Sequence, residues 1–307
     1  MDILLILAYI IHASTPIVLV SLGELVSEKS GVLNLGLEGM MMIGAFSGFY
    51  VGYLTGNILL GIVASVLITG IFSLIHAFLT ITLHSNQVVS GLALTFLGTG
   101  LASFSGRGFI NTSAQSLQAI KIPLLSNIPI LGVVFFNQNI LVYFSYFVIF
   151  LILFFIYKTR PGLELQFCGE SPSTSDTAGI NITFVRYKAV VFGGMMAGLG
   201  GAFLTLADSS PWSDQITAGR GWIAVAIVIF GRWNPLLVGA GSYLFGALNS
   251  LQFKLQARGI DISPYILGML PYLFTIVILS ITSIKVISKR WGAPESLGNP
   301  YIREDRE

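Results

Sequence analysis

The chain has 307 residues, of which 54% are hydrophobic and 10% charged; a soluble globular chain carries roughly a quarter charged residues. This composition excludes a water-soluble fold, and the net charge of +2 is too small to point to a nucleic-acid partner. The single cysteine, Cys168, excludes an intramolecular disulfide and a cysteine-rich metal site.

The first apolar run begins almost at once. Met1-Asp2-Ile3 lacks a basic leader region and no small-residue cleavage pattern follows, so the run reads as a mature first helix. A bilayer core of about 30 Å needs roughly 20 apolar residues per helix. Apolar runs at 3–26, 31–56, 58–82, 88–106, 140–157, 183–207, 216–231, 234–252 and 264–284 predict an all-α, polytopic bundle. It crosses the membrane about nine times and includes broken or half-spanning helices. No Lys, Arg, Asp or Glu occurs between Glu38 and Arg107. Runs this long, and apolar all round, rule out the alternating strands of a barrel. The whole chain, 1–307, reads as a single transmembrane domain, with a polar loop at 158–182 and a tail at 285–307.

Orientation follows from the basic residues in short loops. Lys158, Arg160, Arg186 and Lys188 flank one loop, and Lys285, Lys289, Arg290, Arg303 and Arg306 crowd the end of the chain. Both are expected in the cytoplasm, which places the N-terminus outside. Loop 207–215 then falls outside without a basic residue, while loop 253–262 falls outside despite Lys254 and Arg258. Many of the 34 glycines lie inside apolar runs, where small residues let helix backbones approach. Gly52 with Gly56 and Gly194 with Gly198 fit the GxxxG spacing.

The loop Tyr157–Asn181 is the most informative segment. Ser171-Pro172 reads as a helix start, Ser171 as N-cap and Pro172 at the first helical position, with Gly179 as its stop. A short, mostly polar helix is therefore predicted at the membrane surface, although the pattern alone also fits an ordinary connection.

The run Gly169-Glu-Ser-Pro-Ser-Thr-Ser-Asp-Thr-Ala-Gly-Ile-Asn181 resembles the coupling-helix segment of ribose-, nucleoside- and branched-chain-amino-acid-type bacterial ABC permeases, close to G-E-N-P-x-A-A-x-x-A-G-I-N. Ser171 replaces the usual Asn, and Ser173-Thr-Ser175 the Ala-rich stretch. Gly31–Gly39, Asn86–Leu94, Ala218–Ala226 and Phe230–Pro235 are similar to the same family, in the same order. The resemblance is nearest to the shorter permease of nucleoside importers that work with basic-membrane-protein lipoproteins. It implies an ATP-driven importer in the inner membrane in which Gly169, Glu170, Pro172, Ser175, Asp176, Ala178, Gly179 and Ile180 face an ATPase. It also implies a second, related permease and a lipid-anchored substrate-binding protein outside. The chain has no G-x-x-x-x-G-K-[ST] phosphate loop, so no cofactor is expected in it; ATP and Mg belong to the partner ATPase.

Polar residues at membrane depth are candidates for the solute path. Asn34 and Glu38 sit where Gly31, Gly36 and Gly39 weaken a helix. Glu38 either faces a cavity or is a helix-end charge at the interface. Asn86, Ser90 and Thr95 fall roughly on one side of the fourth span. Asn86 reads as a pathway group and Thr95 as interhelical glue. Amide and hydroxyl groups suit a neutral polar solute: nucleosides first, then a ribose-like sugar, then a branched-chain amino acid. Arg220 opens a run too short to cross alone and is expected to pair with Asp214 or Asp208. Phe104, Tyr143 and Trp212 read as an interfacial aromatic belt. His12, His76 and His84 are too scattered for a metal or proton-relay site. A membrane enzyme would need clustered acid–base groups and an ion-coupled transporter charges within its spans; neither pattern is present.

Overall fold

The computed structural model describes residues 3–208, 211–257 and 293–302, together with Met269, Leu273, Ile276, Val277 and Ser280. The described residues form α1 (Ile3–Lys29), α2 (Leu37–Thr55), α3 (Ile58–Ala77), α4 (Gln87–Gly106), α5 (Leu131–Phe135), α6 (Ile140–Lys158), α7 (Arg160–Glu170), α8 (Pro172–Thr177), α9 (Ile182–Leu206), α10 (Arg220–Phe230) and α11 (Pro235–Ala257). A π-helical turn, Phe78–Thr82, prolongs α3, and the strands β1 (Ile120–Lys121) and β2 (Asn137–Gln138) pair antiparallel. Among the described residues, five helices are long and apolar enough to cross a membrane: Leu4–Lys29, Ile58–Thr82, Gln87–Phe109, Ile140–Lys158 and Ile182–Leu206. The protein is a polytopic helical membrane protein. The expected span at 264–284 lies outside the described residues apart from five helical positions.

The centre of the bundle is α9, surrounded by α1, α2 and α3. Glycine explains the closeness. A Cβ on Gly198 would collide with Thr69, and one on Gly44 would lie 2.6 Å from the Gly198 Cα. Backbones this close can exchange hydrogen bonds with side chains of the facing helix. Ser65 Oγ donates to the Gly198 carbonyl at 2.7 Å and Thr205 Oγ1 to the Ala45 carbonyl at 3.1 Å. Lipid supplies no hydrophobic force between helices, so such contacts and dense packing hold them together. The opposite faces carry the exposed apolar side chains, among them Leu59, Val63, Leu67 and Ile71 of α3 and Phe147, Phe150 and Phe154 of α6. These faces match hydrocarbon.

The structure corrects several boundaries. The first helix runs past residue 26 to Lys29, whereas the second begins only at Leu37, leaving 31–36 unwound. The short helix expected from 216 begins at Arg220. Gly56 packs against nothing within 4 Å and instead ends α2 in the left-handed conformation, φ 64°, so Gly52 and Gly56 are not a packing pair. Trp212 is fully buried against Phe46, Phe49 and Gly106 rather than in a belt. The segment around it pairs with Asn111 and Thr112, Asn111 N–H reaching the Trp212 carbonyl and Trp212 N–H the Thr112 carbonyl, both at 2.9 Å.

Candidate functional site: two broken segments and a surface helix pair

The unwound segment 31–36 lies among helices, where its peptide groups cannot turn to water and must find partners in the protein. The partners come from three helices. From α1, Ser27 Oγ donates to the Val32 carbonyl at 2.9 Å and Glu24 Oε1 accepts the Asn34 N–H at 2.8 Å. From α4, Gln87 Oε1 accepts the Leu33 N–H at 2.7 Å and Thr95 Oγ1 donates to the Leu35 carbonyl at 2.9 Å. From α3, His76 Nε2 meets the Leu33 carbonyl at 3.0 Å while Nδ1 meets Ser90 Oγ at 3.0 Å. A carbonyl only accepts, so Nε2 carries a proton, and in the neutral ring Nδ1 takes the Ser90 hydroxyl hydrogen. Asn34 itself closes the turn, its Oδ1 accepting the Gly36 N–H at 2.9 Å. Small residues make the approach possible: a Cβ on Gly91 would lie 2.7 Å from the Leu35 nitrogen.

The second break precedes α10. Gln215 and Ala218 have φ of 62° and 47° and Gly219 78°, so the chain turns sharply before the helix. Glu38, in the first turn of α2, holds this turn. Its Oε1 accepts from Thr217 Oγ1 at 2.5 Å and the Gly219 N–H at 2.8 Å, and its Oε2 from the Gly221 N–H at 2.7 Å. An anion at the start of a helix satisfies amide groups that have no partner within it and opposes the helix dipole. The eleven residues of α10 rise only about 16 Å, so it is a half-helix anchored at its N-terminus by a carboxylate. At its other end, Trp233, at φ 53°, donates Nε1–H to Glu28 Oε2 at 2.5 Å.

The predicted polar residues therefore separate. Asn34, Glu38, Ser90 and Thr95 are buried together around the breaks, each bonded to backbone or to a neighbour. Asn86 is exposed; it caps α4 by accepting the Val89 N–H at 3.1 Å and does not share the buried face of Ser90 and Thr95. The expected Arg220–Asp214 pair does not form among the described residues: Asp214 is exposed, and Arg220 Nη1 donates to the carbonyls of Ile216 and Thr217 at 3.0 and 3.3 Å. Arg220 and Asp208 do line one small cavity with Tyr9 and Ser250, while Asp208 Oδ1 lies 3.4 Å from His12 Nε2.

Glu24 and Glu28 escaped the sequence reading, which set His76 aside as one of three scattered histidines. The signal was present, because Glu24 and Glu28 are carboxylates entering an apolar run and an ionisable group at that depth is a functional candidate. For Trp233 and Arg186 no local pattern marks the role.

The loop 158–182, expected in the cytoplasm from its basic flanks, is mostly helical. Thr159 caps α7, its hydroxyl accepting the Gly162 N–H at 3.2 Å, and Pro161 occupies the first turn. Pro172 opens α8 as predicted, but Ser171 does not cap with its side chain, which meets Thr174 Oγ1 at 2.8 Å. After Ala178, Gly179 turns left-handed, φ 81°. The Gly179 N–H reaches the Asp176 carbonyl and the Ile180 N–H the Ser175 carbonyl, both at 3.0 Å, the double closure that ends a helix at glycine. Gly169 and Ser175 are buried, whereas Glu170 and Ala178 are exposed. Asp176, beyond the buried Ser175, accepts from Tyr301 Oη at 3.4 Å.

Comparison with known proteins agrees with this architecture. The family described as "Branched-chain amino acid transport system / permease component" matches residues 6–279. The chain is 40% identical to a putative glucose ABC transporter permease protein of Haloferax volcanii, over 96% of both chains. It is 37% identical to the nucleoside ABC transporter permease protein NupC of Lactococcus lactis, over 97% of both, and 34% identical to the guanosine ABC transporter permease protein NupQ of Bacillus subtilis, over the full length of both. No solved structure matches. With a family model spanning nearly the whole chain and relatives collinear from end to end, the protein belongs to the branched-chain amino acid transport system permease family.

Proposed function

We propose that this chain is one of two related membrane subunits of an ATP-driven importer in the cytoplasmic membrane, passing nucleosides inward, with a simple sugar as the alternative solute. The observation that carries the reading is the end-to-end identity with permeases named for nucleoside, guanosine and glucose transport. Both solute classes are neutral and rich in hydroxyl groups. The geometry supports a neutral cargo, because Glu38 is engaged by three donors and offers no open charge to an ionic one.

In this reading the chain carries out no covalent chemistry. The ATPase binds ATP and Mg and pushes on α8 and the turn at Gly179. A lipid-anchored binding protein delivers solute outside, the chain crosses about nine times, and the N-terminus lies outside with the tail in the cytoplasm. Residues 31–36 and 215–220, each held by side chains of other helices, are the parts whose bonds can be exchanged when the helices shift, and Asn34, Glu38, Ser90 and Thr95 stand around them.

The test is co-expression with the neighbouring importer subunits, purification of the assembly and uptake of radiolabelled nucleosides and glucose by vesicles. The ATPase and a second permease are expected to copurify, and nucleoside uptake to be saturable and to stop when ATP hydrolysis is blocked. Absence of the ATPase, or uptake indifferent to ATP, would overturn the reading. Uptake of glucose without nucleoside would select the alternative.

A further inference from the structure

Residues 293–302 fold back against the cytoplasmic end of the bundle. Pro294 is buried, and a Cβ on Gly169 of α7 would lie 3.1 Å from it. Leu297 packs against the main apolar core. Ser296 is the centre of the contact: its N–H and its hydroxyl both donate to the Gly169 carbonyl, at 3.0 and 2.7 Å. The same hydroxyl oxygen accepts from Arg186 Nη2 at 3.1 Å.

Arg186, at the start of the second turn of α9 and facing inward, is 3% exposed. Its Nε donates to the Ser30 carbonyl at 3.0 Å, just beyond the end of α1, and Nη2 also faces the Cys168 carbonyl at 3.5 Å in the last turn of α7. Both are C-terminal helix carbonyls, whose partial negative charge favours a cation. Among the described residues no carboxylate pairs with this guanidinium. Gly31, the first residue of the unwound segment, lies at φ 91° directly against the Ser296 hydroxyl and Arg186. One guanidinium and one serine thus touch α7, the end of α1, the C-terminal segment and the start of the break. Further out, Tyr301 reaches Asp176 of α8.

We propose that residues 293–302 are a clasp which, through Ser296 and the positioning residue Arg186, fastens α7–α8 to the unwound segment 31–36, so that displacement of α8 moves the break instead of bending the α7–α8 pair away from it. The inference rests on the reading that α8 receives the push of an ATPase. A planar guanidinium fits the task because several of its donors lie in one fixed plane and can hold several carbonyls at once; lysine offers a single ammonium centre.

The experiment uses the full importer assembly in proteoliposomes and measures solute taken up per ATP hydrolysed. Ser296→Ala removes the hydroxyl but keeps the backbone bond to Gly169; Ser296→Thr restores the hydroxyl. Arg186→Lys keeps the charge and loses the planar fork. A chain ended after residue 292 removes the clasp altogether. The expected result is intact assembly and ATP hydrolysis within about twofold of the parent, with the uptake-to-hydrolysis ratio lowered several-fold in Ser296→Ala and Arg186→Lys, more than tenfold in the truncated chain, and recovered in Ser296→Thr.

An unchanged ratio in Ser296→Ala and the truncated chain would overturn the clasp. So would a truncated chain that no longer assembles, since the segment would then be an assembly element. Failure of the parent chain to bind an ATPase or to couple uptake to ATP would instead defeat the transport reading, and the two failures are distinct.

Discussion

Gly221 gives its backbone N–H to Oε2 of Glu38 at 2.7 Å, across 183 residues of sequence. This bond joins the first turn of α2 to the first turn of the half-helix α10, and with Thr217 and Gly219 on the other oxygen it makes one carboxylate the organiser of the second break. Hydrogen bonds to a charged group contribute about 1.5–3 kcal/mol each, and the buried donors have no water to fall back on. Glu38→Ala is expected to lower the melting temperature of the detergent-purified chain sharply, by a loss of about 3 kcal/mol or more. Glu38→Gln, which keeps an acceptor oxygen, should lose less. Unchanged melting together with abolished uptake would move Glu38 from an organising role to the solute path.

Asn86 and Ser90 lie four positions apart, yet their substitution is expected to have opposite outcomes. Asn86→Ala removes an exposed helix cap, a cost of about 1 kcal/mol, and uptake should stay within about twofold. Ser90→Ala strips His76 Nδ1 of its partner in a buried site, a cost of about 1–3 kcal/mol, and should reduce the yield of folded protein. Parallel measurement of yield and uptake checks both, and loss of uptake at normal yield in Asn86→Ala would return that residue to the path.

At Gly179 nothing lies within 4 Å of where a Cβ would be, so the cost of a side chain there is conformational alone. Gly179→Val is expected to strain the left-handed turn, by about 1–2 kcal/mol, and to lower uptake while ATP hydrolysis persists. Gly179→Asn, which adopts that turn more readily, should keep most of the uptake. Equal uptake in the two variants would show that the turn is not needed.

Cys168 is buried, and burial pushes its thiol above the usual range, so little of the reactive thiolate is present at neutral pH. A membrane-impermeant maleimide is therefore expected to label the parent chain slowly from either face. Thr177→Cys in a Cys168→Ser background presents an exposed position on α8 and should label fast in inside-out vesicles and not in intact cells. Labelling from the outside would reverse the proposed orientation. Ser175, which faces inward, is a poor site for this measurement.

The long apolar runs, the weakness of the helix near Gly31 and Gly36, the short run before Phe230 and the turn at Gly179 were all legible in the sequence, since each depends on residues close together in the chain. Asn86 misled because a polar residue at a span boundary caps a helix as readily as it lines a path, and spacing does not distinguish the two. Of the two partners expected for Arg220, Asp214 misled, because opposite charges near in sequence pair only where the turn allows it; at φ 62° for Gln215 and 47° for Ala218 the chain leaves Asp214 exposed and turns Arg220 toward its own loop carbonyls and the cavity it shares with Asp208. Trp233 with Glu28, and Arg186 with Ser296, are separated by 205 and 110 residues, and no local pattern announces such pairs.

The glycine seams around α9 also bear on how this bundle can change shape. Gly44 against Gly198, and Gly201 against the backbone of Met41 and Ala45, are contacts without long side chains to act as springs or bearings. Interlocked side chains can yield by changing rotamer, but backbone pressed on backbone has no such freedom. The block of α1, α2, α3 and α9 is thus stiff against shear, like a laminate glued face to face. Strain arriving at the end of α9 is therefore expected to be taken up at the margins of this block, where the chain is already unwound.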